Sequence, residues 1–304
     1  VLLVAMLIFG CVSSSPEKEN NKIKVVASFY PLYDFAKNVG GERVEIVTLI
    51  PSGVEPHEFE PSPGDIKAIS GADVLVYNGA GMEPWMANLL ESNNNQKLIV
   101  VDTTQGVALL KADGHEAEHH EHEAEHHHGE YDPHTWLNPI IAKQQVVAIT
   151  DALIKADPAG KEYYESNSKT YLEKLDSLDS EISASMSNCK KKDILITHAT
   201  LGYFCDRYGC NQIAISGINP EAEPSAQDVA KIVDEAKEHN VSVVFFEKLI
   251  NPKTAQTISN EIGGSTMTFN TVHGLTKEEE ALGMDYISLM ENNLYNIKMA
   301  LSCD

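Results

Sequence analysis

Residues 161–192 read KEYYESNSKTYLEKLDSLDSEISASMSNCKKK, a run with no glycine or proline. Within it Tyr164, Tyr171, Leu175, Leu178, Ile182 and Met186 recur at steps of three, four or seven, which places them on one face of an α-helix. The run opens just after Asp157-Pro158, a helix-start signal. A continuous helix of about 28 residues would be about 40 Å long. Such a helix is a stiff strut that can run beside two domains.

Outward from the strut, each flank alternates strand and helix patterns. On the N-terminal side, β-branched runs at Lys24–Phe29, Val44–Leu49, Asp73–Tyr77 and Lys97–Val101 are separated by helical patterns near Pro31–Val39, Pro63–Ser70 and Pro84–Glu91. On the C-terminal side, strands are expected at Asp193–Thr197, Ile213–Ser216, Ser242–Phe246 and Ser265–Phe269, with helices near Ser225–His239, Lys253–Ile262 and Met284–Leu301. This alternation predicts an α/β fold with mainly parallel sheets. The expected organisation is an N-terminal α/β lobe over 23–157, a linker helix over 158–188 and a C-terminal α/β lobe over 189–304.

The 304 residues and their 42% apolar content suffice for two packed cores. A formal charge of −22 repels nucleic acid and anionic headgroups and suits a cationic ligand better. The apolar run Val1–Gly10 is too short to span a bilayer and ends at Cys11. Ile8-Phe9-Gly10-Cys11 reads as a lipobox with lipidation at Cys11, although Phe9 departs from the usual pattern; an ordinary secretion signal with an incidental cysteine competes. The polar residues 12–22 would be a tether. The four remaining cysteines, Cys189, Cys205, Cys210 and Cys303, favour disulfides in an oxidising compartment, with three connectivities open. Cys205–Cys210 with Cys189–Cys303 is preferred. Thiolate ligation of zinc competes but lacks a C-x₂-C spacing.

Residues 113–130 hold seven of the twelve histidines, His115, His119, His120, His122, His126, His127 and His128, among glutamates. So little of this segment can be buried that it is expected to be a mobile loop binding borderline metals weakly. Five histidines lie elsewhere. His239 falls late in a helical pattern, where the helix dipole favours a cation. His57 follows the second strand, His134 enters a helix, His198 directly follows a strand and His273 follows the last strand. Ligands of open α/β sheets bind beyond the carboxyl ends of strands, so histidines of both lobes would meet in one cleft. Trp136, Trp85, Tyr30 and Phe204 are packing residues by default and would keep water from such a site.

From about Ile23 onward the chain resembles the metal-binding solute-binding lipoproteins of ABC transporters, the zinc and manganese receptors. The matching stretches are 27–31 (ASFYP), 51–61 (PSGVEPHEFEP), 132–139 (DPHTWLNP), 197–199 (THA) with 202–204 (GYF), and 220–225 (PEAEPS). The resemblance implies two α/β lobes joined by one long helix, a metal site between them, an acidic His-rich loop and a membrane permease as partner. It carries His57, His134 and His198 over as ligands. Manganese-selective relatives tend to hold a carboxylate at the third position, so His198 points to Zn²⁺ over Mn²⁺. At the fourth position relatives place Asp or Glu, where this chain has Asn270 or His273. A neutral amide is a poor zinc ligand, so His273 is expected, with water the alternative. Glu58, Glu60 and Glu247 are the expected outer partners, and Glu247 is also an alternative ligand.

The function so implied is a monomeric zinc receptor held outside the cytoplasm by its lipid anchor and delivering Zn²⁺ to a permease. A manganese receptor, a metal-storing or adhesive surface lipoprotein, and a zinc hydrolase with Glu58 or Glu247 as base are the competing readings. The hydrolase lacks an H-E-x-x-H motif.

Overall fold

The computed structural model describes residues 22–112, 130–218, 224–248 and 251–303. Cys11, the seven histidines of the 113–130 segment and most of the 220–225 stretch lie outside the described residues.

The first lobe consists of β1 (Ile23–Ala27), α1 (Tyr30–Gly40), β2 (Val44–Thr48), α2 (Pro63–Ser70), β3 (Val74–Tyr77), α3 (Met86–Ser92), β4 (Ile99–Asp102) and α4 (Pro139–Ala156). The helix α5 (Lys161–Ser187) follows. The second lobe adds β5 (Asp193–His198), α6 (Gly202–Tyr208), β6 (Asn211–Ser216), α7 (Ala226–Glu238), β7 (Val243–Phe246), α8 (Lys253–Glu261), β8 (Ser265–Thr268), α9 (Lys277–Ala281) and α10 (Tyr286–Leu301). Each lobe has one four-stranded sheet, ordered β2-β1-β3-β4 and β6-β5-β7-β8, with every pairing parallel. Strand order therefore reverses between β1 and β3 in one sheet and between β5 and β7 in the other, and crevices open beyond the strand ends at such breaks.

Helix α5 buries the apolar stripe read from its spacing: Tyr164, Tyr171, Leu175, Leu178, Ile182 and Met186 are each at most 2% exposed. The stripe is part of one continuous core that includes Val25 and Val76 of the first sheet and Ile194 and Phe245 of the second. Two hydrogen bonds fix its register: Ser168 accepts from Thr150 of α4 at 2.9 Å, and Tyr171 donates to Asp34 of α1 at 2.8 Å. The lobes also touch directly, with the rings of Phe35 and Tyr286 5.0 Å apart. A shared core of this kind opposes wide separation of the lobes, because parting would expose apolar surface.

Cys189 is paired with Cys303, joining the end of α5 to the chain's C-terminal turn, and Cys205 with Cys210 across the α6–β6 connection. Among the described residues no helix is long and apolar enough to cross a membrane.

Candidate metal centre

Each of four histidines is set by its own local device. His57 lies in a 3-10 turn, Pro56–Glu58, where Glu55 caps by accepting from the His57 amide at 3.3 Å. His134 precedes the turn Thr135–Leu137. That turn leads into α4, which starts cleanly because Asn138 caps it and Pro139 takes its first position. His198 is the last residue of β5, at the edge of the β5/β7 break. His273 sits in the loop after β8, two residues beyond Thr271.

The first three rings converge through their Nε2 atoms. His134 Nε2 is 3.3 Å from His57 Nε2 and 3.3 Å from His198 Nε2, and one ring nitrogen from each residue lies within 4.8 Å of the others. Tetrahedral zinc with nitrogen bonds of about 2.0–2.1 Å requires ligand atoms about 3.3–3.4 Å apart. Two edges of the cluster, those meeting at His134, thus have the spacing of that tetrahedron. The His273 ring stands 5.9 Å from that of His57 and 6.0 Å from that of His134. Its Nε2 is buried without a hydrogen-bond partner, which is costly for a polar atom unless something else engages it.

On His134, His198 and His273 the opposite ring nitrogen has a partner. Asp132 Oδ1 is 2.7 Å from His134 Nδ1 and also accepts from the His134 amide at 2.9 Å. Glu247, just beyond β7, contacts His198 Nδ1 and accepts from the Thr197 hydroxyl at 2.9 Å. Thr271 Oγ1 is 3.1 Å from His273 Nδ1. A carboxylate on Nδ1 keeps that nitrogen protonated and turns the Nε2 lone pair towards the cluster. Asp132 fits against the second lobe because Gly202 has no side chain there; a Cβ would collide with the carboxylate.

Burial pushes His57 and His273 well below the usual imidazole range, and the neighbouring imidazoles push both further down. Burial also lowers His134, against the pull of Asp132. At His198 burial, the largest single influence, acts downward too, but Glu247 together with Glu55 and Asp132 outweighs it and the net shift is upward. Neutral rings need lose no proton before donating a lone pair. The two carboxylates would balance a dication that was otherwise buried among neutral ligands.

Glu58 and Glu60 are exposed, and the carboxylates found at the rings are instead Asp132, Glu247 and, 3.9 Å from His273 Nδ1, Glu55. Both flank Phe59, which turns inward against the core and the Trp85 ring and leaves its neighbours' carboxylates in solvent. Asn270 is committed elsewhere: its Nδ2 donates to Glu279 at 3.1 Å and its Oδ1 accepts from the Val272 amide at 2.7 Å. His239 caps α7, with Nδ1 3.3 Å from Asp193. Asp132, Glu55 and Thr271 were given no role by the sequence reading. Their one shared signal is position, each two residues before a histidine.

Two parallel-sheet lobes on a rigid helical strut, with a histidine cluster of cation size in the crevice between them, define a bilobal receptor for a transition-metal cation. A family model described as ZnuA, zinc-uptake complex component A periplasmic, matches residues 25–300. The chain belongs to this family. It is 41% identical over 300 residues to the high-affinity zinc uptake system protein ZnuA of Bacillus subtilis, covering 99% of this chain and 94% of that protein. Among solved structures, the metal-dependent lipoprotein YcdH of Bacillus subtilis superposes with a TM-score of 0.79 at 39% identity, covering 92% of this chain and all of that one. The Zn(II)-bound ZnuA-like domain of Streptococcus pneumoniae AdcA gives 0.79 at 36%, covering 92% and 99%.

Proposed function

We propose that the chain captures one Zn²⁺ outside the cytoplasm through Nε2 of His57, His134 and His198, with His273 as fourth ligand, and yields it to the permease of an ABC importer. The observation that carries this reading is the convergence of three Nε2 atoms, two pairs of them at the 3.3 Å edge of a zinc tetrahedron, with two of the rings meeting a carboxylate at Nδ1. Nitrogen ligands of this kind suit zinc better than manganese, which prefers hard oxygen donors. The work is binding rather than catalysis: zinc uptake is a transport function, and a fourth protein ligand leaves no open position for a reacting water.

Ligands drawn from both lobes make release a matter of geometry. Withdrawing His198 and His273 with the second lobe, even slightly, would halve the coordination and lower affinity at the permease. The shared core favours such small shifts over wide opening. A lipid on Cys11 would keep the receptor near its permease, and the His-rich segment would raise the local zinc concentration. Competitive titration against a chelator of known affinity tests the reading: one equivalent bound tightly, and much more weakly in His57→Ala, His134→Ala and His198→Ala, is the expected result. Unchanged affinity in any of these three would overturn that residue's assignment.

A further inference from the structure

The loop that presents His273 is shaped partly from outside itself. Val272 has a φ of 60°, in the left-handed region that a β-branched residue enters only when its surroundings compel it. Two of the compelling contacts come from the second lobe. Asn270 Oδ1 accepts from the Val272 amide at 2.7 Å, and Asn293 brackets Asn270, accepting from its amide at 2.8 Å and donating to its carbonyl at 2.6 Å. The third comes from the first lobe, where the indole N–H of Trp136 donates to the Thr271 carbonyl at 2.8 Å.

Trp136 is fully buried and lies two residues after His134. Its carbonyl accepts from the Tyr286 hydroxyl of α10 at 2.6 Å. Its ring lies 5.3 Å from the rings of both His134 and His273. One side chain therefore ties the peptide that carries His134 to the peptide that carries His273, across the boundary between the lobes.

We propose that Trp136 is an interlobe positioning residue: its N–H holds the Thr271 carbonyl so that the strained Val272 turn keeps His273 at the cluster. Parting of the lobes breaks this bond, and relaxation of Val272 then carries His273 away. The lobe movement and the loss of the fourth ligand become one event. The inference rests on His273 being a zinc ligand.

The test is the rate of zinc loss from the full chain into excess chelator. Trp136→Phe keeps a ring and removes the N–H. It is expected to speed release roughly tenfold in the parent chain, an effect of the size outer-shell contacts have on metal sites, and less than about twofold in a His273→Ala background, because coupled residues are non-additive. Equal acceleration in both backgrounds, or none in the parent, overturns the proposal. If His273→Ala alone leaves release unchanged, the ligand reading of His273 fails, and the proposal with it. Val272→Gly permits the same φ without strain, so release should slow; unchanged or faster release from Val272→Gly would also overturn the proposal, even if Trp136→Phe did not fold.

Discussion

Glu247 contacts Nδ1 of His198 across the paired strands β5 and β7, where the strand order of the second sheet reverses, one residue lying just past the end of β7 and the other closing β5. The same carboxylate accepts from the Thr197 hydroxyl, so its position does not depend on the histidine alone. Glu247→Gln keeps the shape and removes the charge. It should weaken zinc binding by roughly 10–100-fold, read by chelator competition, while the melting temperature of the metal-free protein changes little. An undiminished affinity would show that the carboxylate does not tune the ring.

Ligands and bystanders should separate cleanly. His57→Ala, His134→Ala and His198→Ala each remove a proposed direct donor and should cost more than the outer-partner change, at least about 100-fold. His273→Ala should cost less, because water can take its place. His239→Ala, at the exposed end of α7, should leave zinc binding as it was. A large loss in the last variant would point to a metal site elsewhere.

The pH dependence of stability should carry the mark of Glu83. This carboxyl is buried and accepts from Ser28 at 2.6 Å and from the amides of Asn78 and Gly79 at 2.9 and 3.0 Å. Burial, the largest influence, pushes it up from 4.5 to about 7. Between those values the folded protein binds more protons than the unfolded chain, so stability falls as pH rises through that window. A shift of this size corresponds to a change on the order of 3 kcal/mol. Denaturant unfolding of the metal-free protein from pH 4.5 to pH 8 should show this fall as the difference between the parent profile and that of Glu83→Gln, because the depressed His57 and His273 act in the opposite sense. A wild-type slope retained in Glu83→Gln would assign the dependence to another group.

The strut should be a stability element separable from metal chemistry. Leu175 is fully buried on α5, so Leu175→Ala should destabilise by about 2–5 kcal/mol, measured by urea unfolding. Zinc stoichiometry in the folded fraction should stay at one.

The α5 stripe was legible because one face is buried and the other solvated, and that contrast is what periodicity detects. Helix α4 was harder to see. Residues 139–156 carry apolar side chains on most faces, and Pro139, Ile141, Ala142, Val146, Ile149 and Leu153 are all buried, which erases the contrast. The histidines stood out because each follows or precedes an element at a turn-rich segment. Of their partners, Glu247 was expected from the sequence but not the ring it would meet, and Asp132 and Glu55 were not. Glu247 reaches His198 from 49 positions away, a relation created by strand order, whereas Asp132 reaches His134 from two positions away through a local turn that spacing alone leaves undetermined. The link from Trp136 to Thr271 depends on how the lobes dock, which no local pattern records.

The described residues on either side of the His-rich segment are hydrogen-bonded to each other. Lys111 and Tyr131 form an antiparallel bridge, with the Ala112 amide donating to the Glu130 carbonyl at 3.1 Å and the Asp132 amide to the Leu110 carbonyl at 2.9 Å. A short link in place of residues 113–129 therefore isolates the proposed interlobe site. Metal content and competitive affinity of that shortened chain are the most direct measurement. One zinc per chain, held well ahead of manganese, is the predicted result. No tight site, or a stoichiometric preference for manganese, would contradict the account.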